Sequence, residues 1–210
     1  MIASKRNQSI LYMVELAVLT AIVVVLQLTG AAIKIPVLGT NVSLVLIPIA
    51  LGAMVLGPAA GAWLGFVFGA ITYFVGGVMG LDPFTNFLFV NHPVITALIC
   101  FVKSTLAGFL AGWVYRLLQR RNEILAVFLA AILVPVVNTG VFVLGCFTIM
   151  DTINSFAITN QLMGPNDSTV YFIFIGLAGI NFLLEFAVNV ILAPALQRII
   201  HIVSKRIRNR

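Results

Sequence analysis

Residues 93–121 read PVITALICFVKSTLAGFLAGWVYRLLQRR, an apolar run that ends in Arg116, Arg120 and Arg121. An α-helix over 93–118 would be about 39 Å long, which exceeds the ~30 Å hydrocarbon core of a bilayer. Because Lys and Arg are retained on the cytoplasmic side during insertion, the arginines predict that this helix ends in the cytoplasm.

The other charged residues extend this alternation along the chain. Lys5 and Arg6 precede the first apolar stretch, and five basic residues follow or close the last one. The three aspartates, Asp82, Asp151 and Asp167, fall only in the gaps between. The chain is 61% hydrophobic and 9% charged, whereas a soluble domain carries about 25% charged residues. This composition excludes a soluble fold, and the basic residues at the predicted membrane edges favour contact with the lipid bilayer over nucleic acid.

The pattern predicts an all-α integral membrane protein, a single transmembrane domain over 1–210 with both termini cytoplasmic. Its six transmembrane helices are expected at about 10–29, 42–56, 59–78, 93–118, 124–150 and 169–203. The segments 30–41, 79–92 and 151–168 are expected to be loops on the outer face. The loop over 30–41 contains Lys34 and Asn41.

Small residues recur every four positions on two of the predicted helices, as they do where transmembrane helices pack closely. These positions are Gly61, Gly65 and Gly69, and then Ser104, Gly108 and Gly112. The two stripes predict close packing between helices of this chain.

Polar side chains from three helices are expected at one depth in the membrane. Lys103, Asn138 and Asn181 each lie about 15–18 Å from the outer end of their predicted helix. Glu185 and Asn189 follow Asn181 on the same helical face, one and two turns deeper. Ionisable groups at mid-depth cost ~3 kcal/mol or more, so each needs a partner or a function. The arrangement predicts a pocket that opens outward above this polar layer.

The segment 79–92 is expected to cover that pocket. Asn86 and Asn91 would contact a ligand together with neighbouring phenylalanines, while the deeper amides fix its orientation. The alternative is structural: Lys103 and Glu185 form a buried ion pair, and the amides only hold the helices together.

No pattern for catalysis is present. No Gly-Lys dipeptide occurs, so the chain has no P-loop, and neither H-E-x-x-H nor G-x-S-x-G is found. His92 and His201 are predicted on opposite faces of the membrane, which excludes a site with paired histidines. We therefore expect no catalytic residue, no metal and no cofactor.

Several short segments resemble one transporter family. VSLVLIP over 42–48, GP at 57–58, GAWLG over 61–65, KSTLAG over 103–108 and NFLLE over 181–185 are similar to the S-components of energy-coupling factor (ECF) vitamin transporters. The resemblance extends over nearly the whole chain and implies a subunit that captures a vitamin or its precursor from outside, in the plasma membrane of a prokaryote.

The resemblance also implies partners. In this family an Ala-x-x-x-Ala patch on the first helix docks on a transmembrane coupling protein that carries two ATPase subunits. Ala17 and Ala21 match that patch. The partners would hydrolyse ATP, while this chain would supply specificity.

The substrate is open at this stage. Lys103 would suit a small carboxylate, and the chain is most similar to the pantothenate-type branch, while riboflavin and folate remain alternatives. A free-standing facilitator or permease for a small polar solute is the rival function, and an intramembrane enzyme is the third.

Overall fold

The computed structural model describes residues 2–32, 44–164 and 167–208, and every element in these ranges is helical. This confirms the all-α class. The helices are α1 (Ile2–Ala32), α2 (Leu46–Val55), α3 (Pro58–Ile71), α4 (Pro83–Asn91), α5 (Pro93–Leu118), α6 (Glu123–Phe147), α7 (Met150–Thr159), α8 (Thr169–Tyr171) and α9 (Ile180–Arg208). Two π-helical segments extend them, Thr72–Val78 after α3 and Phe172–Gly179 between α8 and α9.

Five helical stretches in the described residues are long and apolar enough to cross a membrane. They are Asn7–Gly30, Pro58–Val78, Pro93–Leu118, Glu123–Phe147 and Thr169–His201. By contrast, α2 has 10 residues and is therefore only about 15 Å long, half of the hydrocarbon thickness. The sixth span and the cytoplasmic location of both termini stay predictions.

Two of the three segments expected to be loops contain helices. Asp82 caps α4 by accepting a hydrogen bond of 3.2 Å from the Thr85 amide, and Pro83 occupies the first turn, where proline is tolerated. In α7, Ile153, Phe156 and Ala157 are buried at helical spacing. Because these segments are polar, the sequence pattern did not indicate their short helices, which have a cap or one apolar face. The third predicted loop, 30–41, lies almost entirely outside the described residues.

The two stripes of small residues form the contact between α3 and α5, as predicted. A β-carbon at Gly65 would collide with the carbonyl oxygen of Ser104, and one at Gly108 would collide with the carbonyl oxygen of Gly61. The two backbones touch because neither stripe carries a side chain larger than that of serine.

The buried apolar side chains form two separate clusters. The first, which we call the α2 cluster, joins α2 to parts of α1, α3, α5, α6 and α9 and includes Leu46, Ile49 and Leu64. The second, the α7 cluster, joins α7 to parts of α4, α5, α6 and the segment before α9. Three helices contribute to both clusters, namely α5, α6 and α9 with its π-helical extension. Polar side chains of these helices lie between the two clusters.

Candidate functional site

A pocket of about 110 Å³ lies between the two clusters. Its walls come from α1, from α3 and its π-helical extension, and from α4, α5, α6 and α9. Four predicted site residues line it together, namely Lys103, Asn138, Asn181 and Glu185. The sequence predicted that side chains from three helices lie at one depth, and these side chains line one pocket.

The positions of these polar residues follow from the two clusters. On α5, Lys103 lies one turn from Ile99 of the α7 cluster and one turn from Ala107 of the α2 cluster. On α6, Asn138 follows Val134 of the α2 cluster by one turn. Each helix is thus anchored by apolar packing near its polar residue, which keeps these side chains directed into the pocket.

Lys103 and Glu185 do not form an ion pair. Within the described residues, no carboxylate oxygen lies within the 4.0 Å limit of the Lys103 ammonium. The ammonium instead lies over the ring of Phe142, 5.2 Å from its centroid. A cation–π contact of this kind contributes about 0.5–2 kcal/mol and leaves the ammonium free to meet an anion in the pocket.

Among the described residues, three acceptor oxygens of Asn138, Asn181 and Glu185 lack a hydrogen bond at the pocket. Glu185 Oε1 accepts a hydrogen bond of 3.3 Å from Asn181 Nδ2, but Glu185 Oε2, Asn181 Oδ1 and Asn138 Oδ1 are buried without a donor. Leaving such a group unpaired costs about 1–3 kcal/mol. The side-chain hydrogen bonds of Asn181 and Asn189 both stay within α9, the second running from Asn189 Nδ2 to the Glu185 carbonyl. The ion pair of the structural alternative is thus absent among the described residues, and ligand binding by these side chains stays a prediction.

A family model of the ECF transporter substrate-specific component matches residues 11–197. The chain belongs to this family. It is a multi-pass membrane protein, the substrate-binding subunit of an ECF transporter, and it works with ECF ATPase and transmembrane components. Among curated proteins, none matches the chain.

Two predicted site residues of this S-component lie elsewhere. Asn86 donates to the Gly77 carbonyl at 2.7 Å, and Asn91 donates to the Phe87 carbonyl at 2.8 Å. Neither lines the pocket, and both bonds serve the local backbone. Their role in ligand binding stays a prediction that rests on the sequence pattern alone.

The cover of the pocket is α4 rather than a loop. It contributes Phe84 to the wall, and the ring of Phe84 packs edge-on against Phe156 of α7 at 5.1 Å between centroids. His92, directly after α4, shares a hydrogen bond of 2.8 Å with the Thr152 hydroxyl of α7. These contacts hold α4 against α7.

The sequence analysis missed other polar residues that line the pocket. Gln27 of α1 donates to the Thr72 hydroxyl at 3.2 Å, and both line the pocket, as do Thr85 and Thr139. The signal available in the sequence was Gln27, the single amide side chain between positions 10 and 29, and a threonine directly after Asn138.

The predicted docking residues of the S-component lie on an open face of α1. Ala17 and Ala21 are exposed, and Val18 between them is 53% exposed. The other face of α1 packs on α3, where Trp63 donates to the Thr20 hydroxyl at 3.3 Å. Among the described residues, Ala17 and Ala21 are thus left for lipid or for a partner.

Proposed function

We propose that this S-component captures a small water-soluble vitamin or precursor that carries one carboxylate, with pantothenate as the first candidate. The supporting observation is the Lys103 ammonium, which lines the pocket without a carboxylate partner. The half-buried Lys103 ammonium would be stabilised by a hydrogen-bonded anion, and a substrate carboxylate would supply one. Riboflavin and folate are the alternatives within the family.

The proposed orientation has six spans, both termini in the cytoplasm of a prokaryote, and a pocket that opens outward. Hydrogen bonds pair Thr20 with Trp63 and Gln27 with Thr72, so α1 and α3 run in the same direction. The chain must therefore return between them, and α2 is the helix available for this crossing. Because α2 is packed inside the bundle, its 10 residues need not meet lipid along a full span.

Transport would require docking of α1 on the transmembrane coupling protein, which carries two ATPase subunits. Ala17 and Ala21 are one turn apart and exposed. Small side chains at this spacing allow the backbone of a partner helix to approach closely. The coupling module would then provide the energy from ATP, and this chain would provide the binding site.

Lys103→Met tests the substrate. Hydrogen bonds to charged groups contribute about 1.5–3 kcal/mol, so pantothenate should bind the variant roughly 10- to 150-fold more weakly. Calorimetry on the purified protein, with riboflavin and folate as comparison ligands, measures this. Equal affinity of wild type and variant for pantothenate would remove the carboxylate argument.

Ala17→Trp tests the docking. The isolated variant should bind substrate normally, whereas uptake by cells and co-purification with the coupling proteins should be lost. Leu144→Trp is the matched control, because Leu144 is 67% exposed on α6, away from α1. Unchanged uptake by Ala17→Trp would show that the docking surface lies elsewhere on the chain.

A further inference from the structure

The unpaired groups of the pocket define the ligand more closely than a single carboxylate does. We propose that the ligand is a monoanion that carries hydroxyl or N–H donors at the end away from its acidic group, and that Glu185 is the residue that selects for those donors. This inference rests on the proposed function, since it concerns the same pocket.

Three residues that line the pocket with Lys103 each have an unpaired acceptor oxygen. Asn138 Oδ1, Asn181 Oδ1 and Glu185 Oε2 are buried without a hydrogen-bond donor, and all three residues line the pocket. An oxygen of this kind is satisfied by a hydroxyl or an N–H group, and a carboxylate or an ether cannot supply one. The ligand must therefore bring donors to this wall.

The two kinds of group lie on different walls. Lys103 belongs to α5 and Glu185 to α9, and α6 packs against both helices. The Lys103 ammonium and the Glu185 carboxylate are farther apart than an ion pair. One end of the ligand can thus meet the cation while the other meets the acceptors.

Apolar side chains line the pocket between these ends. Phe142 lies under the ammonium, and Phe84 and Leu177 add to the apolar wall. These apolar side chains suit a ligand whose middle section is aliphatic. A second acidic group at the far end would face Glu185, which is 3% exposed and has one oxygen unpaired. An ionised acidic group at that end would bring acceptors and no donor to Glu185, so the pocket disfavours dianions.

Glu185 is assigned the selecting role because its carboxyl group is almost completely buried and Oε2 has no donor. A site built to bond a hydroxyl discriminates against the analogue that lacks it by far more than an apolar pocket does, up to about 10⁴-fold. An analogue without hydroxyls would leave Glu185 Oε2 as it is in the empty pocket.

Three ligands and three variants test the inference by calorimetry on the purified chain. The ligands are pantothenate, panthenol (in which a hydroxyl replaces the carboxylate), and N-(3,3-dimethylbutanoyl)-β-alanine (which lacks both hydroxyls). The variants are Lys103→Met, Glu185→Gln and Glu15→Gln. Glu15 is the matched control, because it is a half-buried glutamate of α1 that does not line the pocket.

Wild type should prefer pantothenate to each analogue by about a hundredfold or more. Glu185→Gln should weaken pantothenate about tenfold or more and leave the hydroxyl-free analogue within threefold, so that discrimination between these two collapses. Lys103→Met should remove only the preference over panthenol. Glu15→Gln should change neither ratio.

Three outcomes overturn the inference, and the first two differ from failure of the proposed function. If Glu185→Gln weakens all three ligands equally, Glu185 only supports the pocket. If wild type binds pantothenate and its hydroxyl-free analogue equally, the unpaired acceptor oxygens do not recognise the hydroxyl groups of the ligand. Binding of none of the three by a chain that still co-purifies with coupling proteins rejects pantothenate and its analogues, and with them the inference, but leaves the transport role standing.

Discussion

The contact between α3 and α5 gives a prediction whose size follows from the structure. At Gly112 of α5, a β-carbon would lie 2.7 Å from Pro58 Cα and 2.8 Å from the Ala53 carbonyl oxygen. Ordinary contact begins at 3.4 Å, so Gly112→Ala is about 0.7 Å short of space. Both neighbours are backbone atoms, which means that no side-chain rotation relieves the overlap.

The helices must therefore shift apart, and overpacking of this kind costs about 1–3 kcal/mol. Gly140→Ala in α6 is the matched control, because a β-carbon there meets no atom within 4 Å. In a helix, Ala is favoured over Gly by up to about 1 kcal/mol. The two substitutions are chemically identical, yet they should change the free energy of unfolding in opposite directions.

Thermal unfolding of the purified variants in one detergent measures the difference. For a chain of this size 1 kcal/mol corresponds to about 2–4 °C, so Gly112→Ala should unfold about 2–12 °C below wild type, with Gly140→Ala at or slightly above it. Equal unfolding temperatures for the two variants would show that α3 and α5 are not in backbone contact, and would refute the packing argument.

Three further predictions concern topology and the cover of the pocket. In intact cells, a membrane-impermeant maleimide should label Ser155→Cys but not Gln119→Cys; labelling of both from outside would contradict the six-span proposal, and both native cysteines are buried. Asp82→Ala removes the α4 cap and should cost about 1 kcal/mol of stability, measured by thermal unfolding, together with ligand affinity; unchanged values would show that the cap does not support the wall. Thr152→Val removes the 2.8 Å bond to His92 and should destabilise by about 1 kcal/mol, whereas an unchanged unfolding temperature would mean that this bond does not fix the cover.

The long helices could be read from the sequence because an apolar run must be helical in lipid. The expected helix over 93–118 coincides with α5, and Pro93 lies in its first turn. The short helices α4 and α7 could not be read in this way, since they lie in polar segments. Their signals were local, a capping aspartate in one and a three-to-four-residue apolar spacing in the other.

The sequence predicted the depth of the site residues in the membrane, but not the direction in which their side chains point. The fixed rise of a helix placed Lys103, Asn138 and Asn181 at one level, and all three line the pocket. The direction in which Asn86 and Asn91 point depends on how α4 sits on its neighbours, which the sequence does not specify. Nor could depth tell whether Lys103 reaches Glu185 or the ring of Phe142.

The polar groups of the pocket both lower the folding stability of the empty protein and give the pocket its specificity for a ligand. One apolar cluster packs on each side of the polar layer in the described bundle. In that layer the Lys103 ammonium has no described carboxylate oxygen within 4.0 Å, and buried oxygens lack donors. Each of these groups lowers the stability of the empty protein. A ligand that satisfies them recovers this free energy on binding, and an analogue that lacks the matching groups does not. The side chains that make the empty fold less stable are therefore the ones expected to distinguish one vitamin from another.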